Sequence, residues 1–140
     1  MTDAATEGRL PLDGVRVIEF THMIMGPTCG MILGDLGAEV IKVEPPGGDR
    51  TRKLPGLGIG FFRTFNRNKK SVVLDITTPD GRATATELIG HADVVIENFR
   101  PGVMERLGLG AGRSPRTAAS RCSSPARTRS CRSICATAAS

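Results

Sequence analysis

The chain has 140 residues, a formal net charge of +5, 39% hydrophobic residues and neither Trp nor Tyr. That length suits one domain with a real core, and no apolar run reaches the roughly 18 residues of a membrane-crossing helix. The charge is uneven: residues 1–112 hold 13 Lys and Arg against 14 Asp and Glu, while residues 113–140 hold six Arg and no acid. The basic character belongs to the tail, so a general argument for nucleic-acid binding fails for the rest of the chain.

Residues 1–11 are a polar lead-in. They lack the basic segment and apolar run of a secretory signal, which makes the cytoplasm the default expectation. Residues 15–20 (VRVIEF) are rich in β-branched and apolar types and predict a buried strand. Residues 21–26 form a loop, and Pro27 suits the first turn of a helix running to about residue 36. Gly26, Gly30 and Gly34 recur every four residues and form one side-chain-free stripe, which predicts close packing of that helix on a sheet. Residues 39–44 (EVIKVE) are the second strand, stopped by PPGG. Residues 49–70 read as irregular and basic, with Phe61, Phe62 and Phe65 in a short helix. A third strand is predicted over 71–76. Thr78 caps a helix over 79–89, which Gly81 weakens. A fourth strand covers 93–98, and residues 103–107 start another helix.

The last segment, residues 111–140, has no aromatic, lysine or acid, and only Ile134 among the large aliphatics. It cannot bury enough apolar surface to offset its ordering entropy, so it is predicted to be disordered. Its Arg, Ser, Ala, Thr, Pro and Cys are what GC-rich DNA encodes out of frame. A frameshift between residues 107 and 112 would produce it; a natural basic tail is the alternative. Cys29 falls in the first helix, and Cys122, Cys131 and Cys135 fall in the tail. The spacing of Cys131 and Cys135 suits a metal, but a closed zinc site needs four ligands, so no metal is assigned. A disulfide is not expected in a cytosolic chain.

Strands alternating with helices predict an α/β fold: a Rossmann-like parallel sheet with flanking helices. Its parts are the lead-in over 1–11, a partial, truncated domain over 12–110 and the disordered basic tail over 111–140. Ligands on such sheets bind outside the carboxyl ends of the strands, here residues 21–25, 44–48, 75–78 and 98–102. A dinucleotide would find Glu44 where a ribose-binding carboxylate sits, but the loop THMIMG offers Gly26 alone where three glycines are wanted. Met23, Ile24 and Met25 instead form an adaptable apolar wall. Arg67, Lys69, Lys70, Arg100 and Arg106 are cations for phosphates, or simply a solvated face. Apolar wall plus cations describes a site for a nucleotide-tailed thioester such as coenzyme A.

Four stretches carry a family resemblance: PLDGVRVIEFTHMIMGP, LGDLGAEVIKVEPPGGDRTR, FNRNKKSVVLDITTPDG and ADVVIENFRPGVMERLGLG. Residues 11–108 closely resemble the amino-terminal part of the class III CoA-transferases, a family that includes formyl-CoA transferase, carnitine CoA-transferase and α-methylacyl-CoA racemase. The resemblance implies CoA transfer between an acyl-CoA and a carboxylic acid, with coenzyme A as substrate and no tightly bound cofactor. It also implies an interlocked homodimer; the lack of a long apolar run and the charge distribution argue separately against a membrane or nucleic-acid partner. Carried over by motif, Met23, Ile24 and Met25 line the adenine and pantetheine path. Leu74 and Thr77 flank the adenosine, Asn98 and Phe99 contact the pantetheine arm, and Arg106 faces phosphate. Pro45 stands where formyl-CoA transferases often carry a phosphate-binding arginine. His22 reads as a hydrogen-bonded loop histidine. The family's nucleophilic aspartate, and the His/Asp pair of the racemase branch, lie beyond residue 140. No catalytic residue is therefore assigned, and the chain is expected to be an inactive amino-terminal fragment with an exposed, aggregation-prone sheet edge. The alternatives are a CoA- or nucleotide-binding module without catalysis, or the racemase branch of the same family.

Overall fold

A computed structural model describes residues 8–56 and 58–110. The tail read as disordered, residues 111–140, and the first seven residues of the lead-in lie outside the described residues. Four strands form one sheet: β1 (Arg16–Phe20), β2 (Glu39–Glu44), β3 (Lys69–Val73) and β4 (Val94–Glu97). Their order is β3-β2-β1-β4, and every pairing is parallel. The helices are α1 (Met25–Asp35), α2 (Gly58–Phe65), α3 (Pro79–Gly90) and α4 (Val103–Arg106), with a 3-10 turn over Arg50–Lys53 between β2 and α2. The fold is the α/β arrangement that the alternating pattern predicts.

Successive side chains of a strand point to opposite faces. Val17, Val40 and Ile96 turn to one face and pack with Cys29 and Leu33 of α1. Ile18, Phe20 and Val43 turn to the other and pack with Ala85 and Ile89 of α3 and Met104 of α4. Burial on both faces fits the adjacent apolar pairs Val17-Ile18 and Val40-Ile41 in the central strands. The chain steps outward from β1 to β2 to β3, then crosses back to place β4 on the far side of β1. That reversal puts a crevice between the carboxyl ends of β1 and β4, the usual ligand position on such sheets.

Two boundaries differ from the sequence reading for physical reasons. The third strand starts two residues earlier and ends three residues earlier than predicted. Lys69 belongs to it: the Lys69 side chain is only 2% exposed and its ammonium meets Glu19 at 2.9 Å. Leu74 and Ile76 leave the strand and pack against the α3 side of the core. Apolar character there marks core packing, not strand extent. Helix α1 begins at Met25, with Thr28 N–H bonded to the Ile24 carbonyl at 2.8 Å, so Pro27 sits inside the first turn, where its missing N–H costs nothing.

The glycine stripe does what its spacing implies at two of its three positions. A Cβ on Gly26 would lie 2.6 Å from Thr21 Cβ, and one on Gly30 would collide with the Glu19 carboxylate. A Cβ on Gly34 would sit 3.5 Å from the Asn68 carbonyl oxygen, an ordinary contact. Thr78 caps α3 as predicted, accepting from Gly81 N–H at 3.1 Å. Gly81 weakens helix propensity, but a Cβ there would strike the Asp75 carbonyl.

Candidate functional site

Thr21, His22 and Met23 follow β1 at the crevice, and each is held from a different part of the fold. Lys42 Nζ donates to the Thr21 carbonyl oxygen at 2.6 Å. Asn98 grips His22 from both sides: its Oδ1 accepts from His22 N–H at 3.0 Å, and its Nδ2 donates to the His22 carbonyl oxygen at 2.9 Å. The His22 ring stacks on Phe99 with centroids 6.0 Å apart. Met23 N–H donates to Thr51 Oγ1 at 3.2 Å. Met23 has φ 65°, a left-handed conformation that costs a residue with a side chain about 1–2 kcal/mol. The surrounding bonds must impose it.

They do so through a closed ring. Thr51 N–H and its hydroxyl both donate to Asp49 Oδ1 at 2.8 Å. Asp49 Oδ2 lies 3.1 Å from Lys42 Nζ, close enough for an ion pair but off the line of a hydrogen bond. The ring thus runs from the Thr21 carbonyl through Lys42, Asp49 and Thr51 to the Met23 amide. Burial alone would raise the Asp49 pKa, but the Thr51 donors and Lys42 bring it below the usual carboxylate value.

A buried charged layer supports this ring from the α1 side of the sheet. Glu19, Lys42 and Glu44 are at most 2% exposed. Lys69 Nζ donates to both Glu19 oxygens, at 3.0 and 2.9 Å, and to the Pro27 carbonyl at 2.8 Å. Burial lowers the Lys69 pKa, and Glu19 opposes that shift. Glu44 takes two bonds from Arg52, at 2.8 and 2.7 Å, one from Ser71 at 2.7 Å and one from Asp49 N–H at 2.8 Å. Buried charges persist only when paired in this way. Glu44 is therefore committed to the fold, and a dinucleotide reading loses its ribose-binding acid. Cys29 is half-buried beside this layer; burial, then Glu19, raises its thiol pKa.

Over the strand ends lies a cavity of about 590 Å³, within the size range of small-molecule sites. Phe20, Val43, Leu74, Ile76 and Phe99 give it apolar walls, and Met23 lies at its edge. Of the residues named from sequence, Met23, Leu74, Thr77 and Phe99 line it. Ile24, Met25, Asn98 and Arg106 are not among its lining residues. Ile24 is the N-cap of α1, Met25 is 69% exposed, and Arg106 is exposed on α4. Asn98 reaches the cavity only through the loop it clamps. The cations named from sequence are mostly engaged: Arg67 with Asp35, Lys69 with Glu19 and Lys70 with Glu39.

What sequence reasoning missed is the segment after β2. Asp49, Arg50, Thr51 and Leu54 all line the cavity, yet the stretch reads as irregular and basic. The available signal was Asp49 followed two residues later by Thr51, the pattern of a capping carboxylate that takes a backbone N–H. Among the described residues no group of three His, Cys, Asp or Glu could hold a metal, and no helix is long and apolar enough to cross a membrane.

Residues 12–117 match the CoA-transferase family III. The chain belongs to that family. It is 50% identical over 106 residues to the probable fatty acyl-CoA transferase Rv3272 of Mycobacterium tuberculosis, covering 71% of this chain and 27% of that protein. It is 50% identical over 103 residues to the formyl-CoA:oxalate CoA-transferase of Rhodopseudomonas palustris, covering 70% and 24% respectively. A crystal structure of Rv3272 superposes with a TM-score of 0.70 at 51% identity, covering 74% of this chain and 30% of that one. This family III chain therefore spans about a quarter of the length of the curated relatives it matches.

Proposed function

We propose that residues 12–110 bind the coenzyme A part of an acyl-CoA, for CoA transfer to a carboxylic acid. One observation carries this reading: a largely apolar cavity over the strand ends of a family III chain, with its loop held by Lys42, Thr51 and Asn98. Met23, Leu74, Thr77 and Phe99 are its contacts in the wall. Ile24, Met25, Asn98 and Arg106 complete the proposed set, Asn98 by fixing His22 and Arg106 from the neighbouring helix. The cavity is preformed, so binding does not have to order it first.

The same wall argues that these residues bind and do not attack. A carboxylate nucleophile must be free to meet the thioester carbon. Glu44 is held by Arg52 and Ser71, Asp49 by Thr51 and Lys42, and Asp75 by Thr77. In this reading the nucleophile comes from outside the described residues, and this chain alone binds coenzyme A without transferring it. Isothermal titration with coenzyme A, followed by an assay with formyl-CoA and oxalate, tests both statements. Saturable binding near one equivalent with no turnover is expected. Absence of binding overturns the reading of the cavity, and turnover overturns the structural assignment of its three carboxylates.

A further inference from the structure

The cavity wall carries three carboxylates and one guanidinium, that of Arg50. Two of the carboxylates are matched by cations behind the wall: Glu44 by Arg52 and Asp49 by Lys42. The third, Asp75, accepts from Thr77 N–H at 3.0 Å, and Arg82 of α3 donates to the carbonyl of that same Thr77 at 2.7 Å. Arg82 thereby braces the turn that holds Asp75 without pairing with its carboxylate. Arg50 is the cation of the wall that no acid engages. Its side chain is exposed and makes no hydrogen bond or ion pair with the described residues. Its backbone is fixed, because Asp49 caps the 3-10 turn and Thr51, the next residue, is only 1% exposed. A free guanidinium on a rigid turn at the rim of an apolar cavity is a built anion contact.

We propose that Arg50 binds a phosphate of the nucleotide-tailed ligand and sets the cavity's preference for phosphorylated over unphosphorylated tails. This rests on the reading that the cavity takes coenzyme A. Arginine presents a planar fork that matches phosphate oxygens two at a time. Arg50 is exposed, so salt screens the contact. Pro45, also in the wall, offers no charge or donor, so Arg50 is the wall's one guanidinium for this role among the described residues.

The test is isothermal titration of the full 140-residue chain with coenzyme A and with dephospho-coenzyme A, using wild type, Arg50→Lys and Arg50→Gln. Arg50→Gln is expected to weaken coenzyme A binding about tenfold, the range for a hydrogen bond to a charged group. Its melting temperature should not change, because the side chain makes no hydrogen bond or ion pair with the described residues. Arg50→Lys should recover part of the loss, and added salt should narrow the gap between wild type and Arg50→Gln. A loss confined to coenzyme A assigns Arg50 to the ribose phosphate; an equal loss with both ligands assigns it to the diphosphate. If wild type binds coenzyme A and Arg50→Gln binds it equally well, the proposal is overturned and the cavity reading stands. If wild type binds neither ligand, the cavity reading fails and this proposal falls with it.

Discussion

At the scale of single residues, the glycine stripe of α1 separates what spacing reveals from what it hides. The four-residue recurrence shows that one helix face lacks side chains, and the structure puts that face against the sheet. Spacing does not show which glycine the packing needs, because that depends on Glu19, which projects from β1 toward Gly30. Gly30→Ala drives a methyl into a buried carboxylate already bonded to Lys69 and to Thr21 Oγ1. Overpacking of this kind costs about 1–3 kcal/mol, and displacing the buried pair adds to it. Gly34→Ala meets only ordinary contacts, so it is expected to gain up to about 1 kcal/mol from helix propensity. Thermal unfolding of the two variants checks this: Gly30→Ala should melt well below wild type and Gly34→Ala at or above it. Equal melting temperatures would mean that α1 slides off the sheet at no cost. Thr51 makes the same point about legibility. The spacing of Asp49 and Thr51 signals a cap but not the burial of Thr51, since its importance lies in the Met23 amide it receives from 28 positions away.

At the scale of elements, the sequence predicts β2 with its observed limits, Glu39–Glu44, because β-branched residues recur up to a double proline. The charges in it were the illegible part. Lys42 and Glu44 look like solvent-facing positions of a strand, but α1 and the loop after β2 cover that face, so both are buried and paired. Glu44 joins β2 to β3 through Ser71 and to the 3-10 turn through Arg52. Burial alone would raise its pKa, yet the bonds from Arg52, the Asp49 N–H and Ser71 bring it down to about 2, from an ordinary 4.5. A carboxylate whose folded pKa is depressed contributes stability that is complete above its unfolded pKa and is lost as pH falls toward the folded one. The chain is therefore expected to lose stability between about pH 4.5 and pH 2. Glu39, held near 2 by Lys70 and Arg16, titrates in the same window, but its side chain is 35% exposed and solvent screens its share. Denaturant unfolding from pH 7 to pH 2 should show a clearly flatter acid limb for Glu44→Gln than for Glu39→Gln. Parallel limbs for both variants and wild type would show that the Glu44 bonds add nothing to the folded state.

At the scale of the whole molecule, the sheet has two edges among the described residues, β3 and β4, and they are not equally protected. A bare strand edge is a template for another strand, and lysine is a common guard. The β3 edge carries Lys70, whose side chain is 70% exposed, while Lys69 turns inward to Glu19. The β4 edge carries no lysine, and Val94 is 37% exposed on it. A second apolar surface lies on the outer side of α1, where Met25, Ile32 and Leu36 are 69%, 50% and 40% exposed. The parallel sheet and the position of the cavity were legible in the alternating pattern; these surfaces were not, because an exposed valine and a buried one look alike in a strand. The two surfaces predict self-association that rises with concentration, and single charges tell them apart. Val94→Lys places a charge on the open edge without touching α1, and Ile32→Lys does the reverse. Sedimentation velocity over a concentration series should show a lower average mass for Val94→Lys than for wild type if strands pair at the edge. A drop with Ile32→Lys alone would move the contact to the helix face. A wild-type chain that sediments as a monomer at every concentration would show that neither surface is sticky enough to matter, and that the unguarded β4 edge is tolerated because four residues offer too short a template.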